Sequence, residues 1–299
     1  MTLTFLLTGN PRYKQVVLDL ADWCWISLHG PQTVGAALLR SVKNFKSLLS
    51  MRGSLWPQYP FTRGTGNCIN AELDAFELTA NNKFLLRAAQ LVQGTVQPTD
   101  NPDERDLLDA ESNWSYTVFL AAMCRYLQVK KSLDLLDSDF YNTKASLLTY
   151  ARWMVEHEYP YLEKPEILEY PNETWAAQDL RKGVILHYAA KYVEEEKEIF
   201  LDKAVFFLNS GLTDLFQQKT GGYTRPLVLM MQNSWAVEAI KETPEESMGT
   251  TVAFAKGSTT PRLTLCECVK RNLFDLIHVV PATSLRREWN WLSSRIGEK

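Results

Sequence analysis

Four short stretches of this chain concentrate side chains able to hold or transform a ligand. "RGTGNCINAELD" places Arg63, Asn67, Asn70 and Asp74 at i, i+4, i+7 and i+11, one stripe of a helix. "AESNWSYTVF" sets Glu111, Asn113 and Tyr116 around Trp114. "EYPNETWAAQDLRKG" gathers Tyr170, Glu173, Trp175, Gln178, Asp179, Arg181 and Lys182 about a helix start, and "GGYTRPLVLMM" supplies Tyr223 and Arg225. Amides and guanidiniums can neutralise a carboxylate while a tyrosine removes a proton. Arg63, Asn67, Asn113, Gln178 and Arg225, with Tyr116 or Tyr170, fit that division of labour. Two carboxylates about 5–9 Å apart, with separated pKa values, support hydrolysis of a glycosidic bond instead. Glu111 and Glu173 are the candidates for that pair. Amides and tyrosines outnumber carboxylates in these stretches, which favours the first chemistry.

Each stretch also has a purely structural explanation. Asn172 suits an N-cap, and Glu173 then faces the positive end of the helix dipole. Glu173 and Arg181 share a helical stripe, so Arg181 is expected to hold Glu173 in place; Asp179 and Lys182 suit an i,i+3 surface pair. Gly64 and Gly66 cost about 1 kcal/mol each in a helix interior, which predicts a close helix contact or an approaching ligand. His187 lies further along the same helix and reads as a satisfied core histidine. Arg225 serves equally well to hold its loop. The excess over these roles is the crowding of Tyr170, Trp175 and Gln178 into the same turns, expected to wall a cleft in which the aromatics stack on a sugar ring.

The elements that must position these residues are helical. The chain has 299 residues, 45% hydrophobic and 22% charged, with a net charge of -3, enough for a sizeable core in one or two domains. No basic stripe is present, which argues against a nucleic-acid partner. No apolar run reaches the length of a membrane span, and no secretory leader is visible, so a cytoplasmic protein is expected. Five cysteines, Cys24, Cys68, Cys124, Cys266 and Cys268, are scattered in apolar contexts and read as reduced thiols rather than a disulfide framework. "CEC" at 266–268 lacks the second Cys or His cluster that zinc requires, so neither metal nor cofactor is expected.

An internal repeat orders the helices. "LTGNPRYKQVVLDLADW" at 7–23 is echoed by "LTANNKFLLRAAQLVQG" at 78–94, each a helix end, a polar turn and a helix opening on an aromatic. The aromatic beat returns at Tyr141 and Phe200. Between these amphipathic helices lie others, starting polar and becoming apolar, over 62–79, 109–127 and 172–193. Long loops at 51–61, 97–108 and 158–171 precede them and should gather on one face.

The "LTGNPRY" hairpins, the "RGTGN" helix start and the "YPNETWAAQDLRK" segment resemble the α/α-toroid domains of carbohydrate-active proteins: six-hairpin glycoside hydrolases, polysaccharide lyases and sugar epimerases. The resemblance covers roughly residues 5–240. It implies an all-α fold of helical hairpins forming an (α/α)n toroid, with the three polar-start helices inside. Residues 1–240 would form the toroid, 241–262 a flexible connector and 263–299 a helical extension packed upon it. The opening "MTLTFLLTGNPRY" reads as the last turns of an inner helix, so the toroid is expected to be incomplete at its N-terminus. The apolar flank around Phe5, Leu6 and Trp23 would then favour self-association. By the same resemblance the partner is a glycan or oligosaccharide, most simply an acidic polysaccharide met with lyase chemistry. The alternatives are a glycoside hydrolase and a non-catalytic helical scaffold that binds a glycan or a protein.

Overall fold

The computed structural model describes residues 2–29, 58–193, 195–217 and 224–236, with isolated residues at 33–35, 38–39, 42, 286, 288–289 and 292–293. Among the described residues the fold is all-α, with no strand. The helices are α1 (Thr2–Thr8), α2 (Pro11–His29), α3 (Arg63–Thr79), α4 (Asn82–Gln93), α5 (Ala110–Asn113), α6 (Tyr116–Ser132), α7 (Ser138–His157), α8 (Glu173–Ala190), α9 (Lys197–Gln217) and α10 (Thr224–Asn233). No described helix is long and apolar enough to cross a membrane.

The repeat in the sequence is a repeated turn. In "LTGN" Gly9 takes φ 65° and its N–H bonds the Phe5 carbonyl at 2.7 Å; in "LTAN" Ala80 takes φ 51° and bonds the Phe76 carbonyl at 2.7 Å. The threonine before each bonds back four residues, Thr8 to the Thr4 carbonyl and Thr79 to the Ala75 carbonyl, both at 2.6 Å. The asparagine after each accepts the N–H two residues on, at 3.0 Å, which starts the next helix. Asp137 caps α7 in the same manner by accepting from Phe140 N–H at 3.0 Å. The aromatic that follows the caps into the core is therefore Phe140, buried like Phe84 and Phe200; Tyr141 is over a third exposed.

α3, α6 and α8 pack side by side in one row, and α10 continues it against α8. Gly66 near the start of α3 lies against Phe119 near the start of α6, and Arg125 further along α6 meets Asn70 and Asp74 further along α3. Those two helices are parallel. Trp114 and Trp175 meet just before α6 and early in α8, while Tyr188 late in α8 meets Gln128 late in α6, so this pair is parallel too. α4, α7 and α9 form a second row behind the first. α8 and α9 run antiparallel and approach through two glycines. A Cβ on Gly183 would lie 2.9 Å from the Ala204 carbonyl, and one on Gly211 would lie 2.7 Å from the Ala176 carbonyl. Gly66 has the same explanation, since a Cβ there would sit 2.8 Å from the Phe119 Cα. Gly64 meets only the Thr62 hydroxyl, at 3.6 Å.

One expected helix is divided. The 109–127 segment breaks into α5 and α6, with Trp114 and Ser115 in a turn between them. Asp109 caps α5, and Asn113 donates to the Asp106 carbonyl at 2.9 Å. The break sets Trp114 at the head of α6 rather than inside a helix. The proposed connector at 241–262 lies outside the described residues, as do Tyr223, Cys266 and Cys268. Of the 263–299 extension, Glu288 is described, and its carboxylate accepts the Val34 and Gly35 N–H groups at 2.5 and 3.2 Å.

Candidate functional site

The parallel row collects the starts of α3, α6, α8 and α10 around Trp114. The Arg63 guanidinium, in the first residue of α3, lies 5.9 Å from the Trp114 ring centre, and Arg225 in the first turn of α10 lies 5.8 Å from it. Trp175 meets Trp114 edge to face at 6.4 Å and packs on Tyr161 at 5.2 Å. Both Trp rings are half-buried, whereas Arg63 and Arg225 are exposed. Among the described residues neither arginine has a carboxylate within ion-pair distance. Two unpaired cations beside one indole are arranged to receive an anion next to a flat apolar surface.

The loop before α8 is tied to this surface. Glu111 accepts the Glu169 N–H at 2.6 Å, and the Tyr170 carbonyl takes both the Trp175 indole N–H at 3.1 Å and the Asn172 amide at 2.8 Å. Asn172 also caps α8 by accepting from Thr174 N–H at 2.9 Å. Tyr170 is left 70% exposed at the rim. Glu173 is half-buried in the first turn of α8, and Asn67 is exposed one turn along α3 from Arg63. Lower on that stripe, Asn70 and Asp74 are engaged by Arg125, at 3.4 and 2.5 Å.

Three expectations are corrected. Tyr116 is fully buried and gives its hydroxyl to Glu158; burial first, then the Glu158 charge, raises its pKa well above the ordinary value. It is a core residue and not a surface base. Arg181 pairs with the Gln178 carboxamide and not with Glu173. Asp179 and Lys182 do pair, at 3.0 Å, but both are completely buried. Lys182 also lies 2.7 Å from Glu158 and 2.6 Å from the Tyr159 carbonyl, and 3.4 Å above the Tyr161 ring. Asp179 in turn accepts the Tyr161 N–H at 3.0 Å. Burial works against the Lys182 ammonium, but the two carboxylates overcome it and hold its pKa above the usual lysine value. Burial lifts Asp179 to about 7 despite Lys182. This network fixes the 158–163 turn under the site.

Two contributors to the surface escape a sequence search. Trp114 reads as one more core aromatic, and only its place at a helix break signals otherwise. Arg181, two turns into α8, reads as half of an ion pair, yet it is buried without a carboxylate partner among the described residues. Burial pulls its pKa down to about 10, and the neighbouring Arg225 charge adds to the depression. No group of three His, Cys, Asp or Glu side chains among the described residues could hold a metal ion. Cys24, Cys68 and Cys124 are free buried thiols. In comparisons with protein families, curated proteins and solved structures the chain matches none, so the geometry of this surface alone carries its interpretation.

Proposed function

We propose that the chain binds an acidic glycan across the starts of α3, α6, α8 and α10 and acts on it by lyase chemistry. The observation that carries this reading is the approach of Arg63 and Arg225, from distant parts of the chain, to the same Trp114 ring with no acidic partner among the described residues. A sugar ring offers a flat face to Trp114 or Trp175, and a uronate carboxylate offers the charge that the guanidiniums lack. In elimination a base takes the proton on the carbon beside that carboxylate, the C–O bond to the next sugar breaks as a ring double bond forms, and the departing sugar oxygen takes up a proton from the base or from water to leave as a hydroxyl. Guanidiniums on the carboxylate stabilise the negative charge that develops. Tyr170, exposed at the rim, is the tyrosine available as base, and Asn67 and Glu173 are placed to bond ring hydroxyls. The two helix rows, with parallel helix starts on one side, support an α/α toroid as the frame of such a cleft.

The test is calorimetric titration with oligouronates, together with ultraviolet absorbance of the unsaturated product and assay of reducing ends. Arg63→Gln and Arg225→Gln should each weaken oligouronate binding roughly tenfold, the value of one charge-assisted hydrogen bond. Neutral oligosaccharides should bind weakly and equally to all three proteins. Reducing ends released without ultraviolet absorbance would replace the lyase reading with hydrolysis by Glu111 and Glu173. Absence of any oligouronate binding would overturn the proposal.

A further inference from the structure

The face by which α2 meets the rest of the fold ends in a pair of thiols. Among the described residues of α2 only Val17, Ala21 and Cys24 are buried, at i, i+4 and i+7, so the helix docks on α3 through one narrow stripe. Asp22 ties α2 to α4, lying 2.6 Å from Arg87 and 3.3 Å from Lys83. At the end of the stripe the Cys24 sulfur accepts a hydrogen bond from the Cys68 thiol, early in α3. That bond lowers the Cys24 pKa against the opposing effect of burial. The same bond, burial and the Cys24 charge raise the pKa of Cys68, and the buried Glu72 carboxylate one turn along α3 adds to the rise. The pair therefore has a nucleophile, Cys24, and a partner that stays a thiol beside it. Cys124 in α6 shows the ordinary case, a buried sulfur with no cysteine against it, whose pKa burial raises.

We infer that Cys24 and Cys68 form a redox modification site at which a small hydroperoxide joins α2 to α3 through a disulfide. Sulfurs in hydrogen-bond contact on two packed helices are near enough to join, because side-chain rotation and small backbone shifts close the remaining gap. Cys24 sulfur attacks one peroxide oxygen, the O–O bond breaks, and the departing hydroxide takes the Cys24 proton to leave as water. The Cys68 sulfur then attacks the resulting sulfenic sulfur and expels its hydroxide, which leaves with the Cys68 proton as a second water. Two thiols lose two electrons in all, and the peroxide gains them. The oxidant must be small and uncharged, since the sulfurs are only 6% and 5% exposed and a bulky disulfide such as oxidised glutathione has no room to approach. The bond fastens a helix otherwise held by three buried side chains and the Asp22 ion pairs. It also closes residues 24 to 68 into a loop, which restricts the unfolded chain and raises stability. None of this depends on the glycan reading.

The experiment exposes the folded full chain to hydrogen peroxide or to oxidised glutathione, then maps its peptides by mass spectrometry without reduction. Hydrogen peroxide should yield a peptide pair joined through Cys24 and Cys68, two mass units lighter than the separate thiols and released by dithiothreitol, while Cys124 stays a thiol. Oxidised glutathione should act more slowly. The thermal midpoint of the joined protein should rise by roughly 5 °C and fall back on reduction. Cys68→Ser keeps a hydrogen-bond donor beside Cys24, so peroxide should stop there at a sulfenic acid that dimedone labels. Should that variant fail to fold, the wild-type peptide map decides. Cys24 and Cys68 both still thiols after peroxide, or joined to Cys266 or Cys268 instead, overturns the pair. Faster joining by oxidised glutathione overturns the hydroperoxide assignment, and a joined protein with an unchanged or lower midpoint overturns the fastening of α2.

Discussion

Lys182 shows how much a single buried charge is worth in this fold. It is surrounded by two carboxylates, a carbonyl and the Tyr161 ring, with no exposure to water. Replacing it with methionine leaves Glu158 and Asp179 buried without their cation, a loss of roughly 3–5 kcal/mol. Chemical denaturation of Lys182→Met should show a loss of that size. Asp179→Asn should cost less, because Glu158 still faces the Lys182 ammonium at 2.7 Å. His187 makes the opposite case. It is buried between Tyr188 and Trp235, but, contrary to the satisfied core histidine expected from the sequence, neither ring nitrogen has a partner among the described residues, so burial lowers its pKa to about 4 from 6.5. The unfolded chain then binds a proton on this residue that the folded chain refuses. Stability falls as pH drops from about 6.5 toward 4. Denaturation midpoints of His187→Phe should decline less steeply than wild type across that window; parallel declines would show that His187 is not responsible.

At the level of elements, the two matched turns make a clean comparison. Gly9 adopts the left-handed conformation freely, whereas Ala80 holds it in the same hydrogen-bonded setting. The left-handed cost to alanine, about 1–2 kcal/mol, exceeds the extra unfolded-state freedom of glycine, roughly 0.5–1 kcal/mol. Ala80→Gly should therefore raise stability by about 0.5–1 kcal/mol, and Gly9→Ala should lower it similarly, both read from thermal unfolding. Gly66→Ala belongs to another class. The added Cβ would meet backbone atoms of Phe119 and Val118 at 2.8 and 2.9 Å, which no rotamer change relieves. Overpacking of about 1–3 kcal/mol outweighs a helix-propensity gain of about 1 kcal/mol. Because Gly66 stands one turn from Arg63, the shift should also weaken oligouronate binding. A stabilised Gly66→Ala protein with full binding would contradict this packing.

The whole molecule leaves apolar surface at both ends of its helix rows. Leu6 and Trp23, on α1 and α2, are 66% and 64% exposed, and Phe216 and Met231, on α9 and α10, are 76% and 78% exposed. Surfaces of this kind tend to find partners. Sedimentation should show mass rising with concentration, and the Leu6→Glu/Trp23→Glu variant should stay a monomer with its helix content retained. A wild-type monomer at every concentration would rule out association through these ends.

Local chemistry made much of this fold legible in the amino-acid sequence. Caps and turns depend on neighbours two to four residues away, so Asn81, Asn172 and the "LTGN" and "LTAN" turns can be read directly. Helical periodicity likewise marks α3, α6 and α8. The polar helix starts are legible for the same reason, and Arg63, Trp175 and Arg225 do meet around one ring. What each polar residue does there depends on partners remote in the chain. Tyr116 is silenced by Glu158, 42 residues away, and Lys182 reaches the Tyr159 carbonyl 23 residues back. On a helix wheel Asp179, Arg181 and Lys182 have the look of a solvated face. Tertiary packing buries all three, since α9 closes on α8 through Gly183 and Gly211 and the 158–163 turn covers the start of α8. Burial of charge is a property of the assembled neighbours, and no window of sequence contains them.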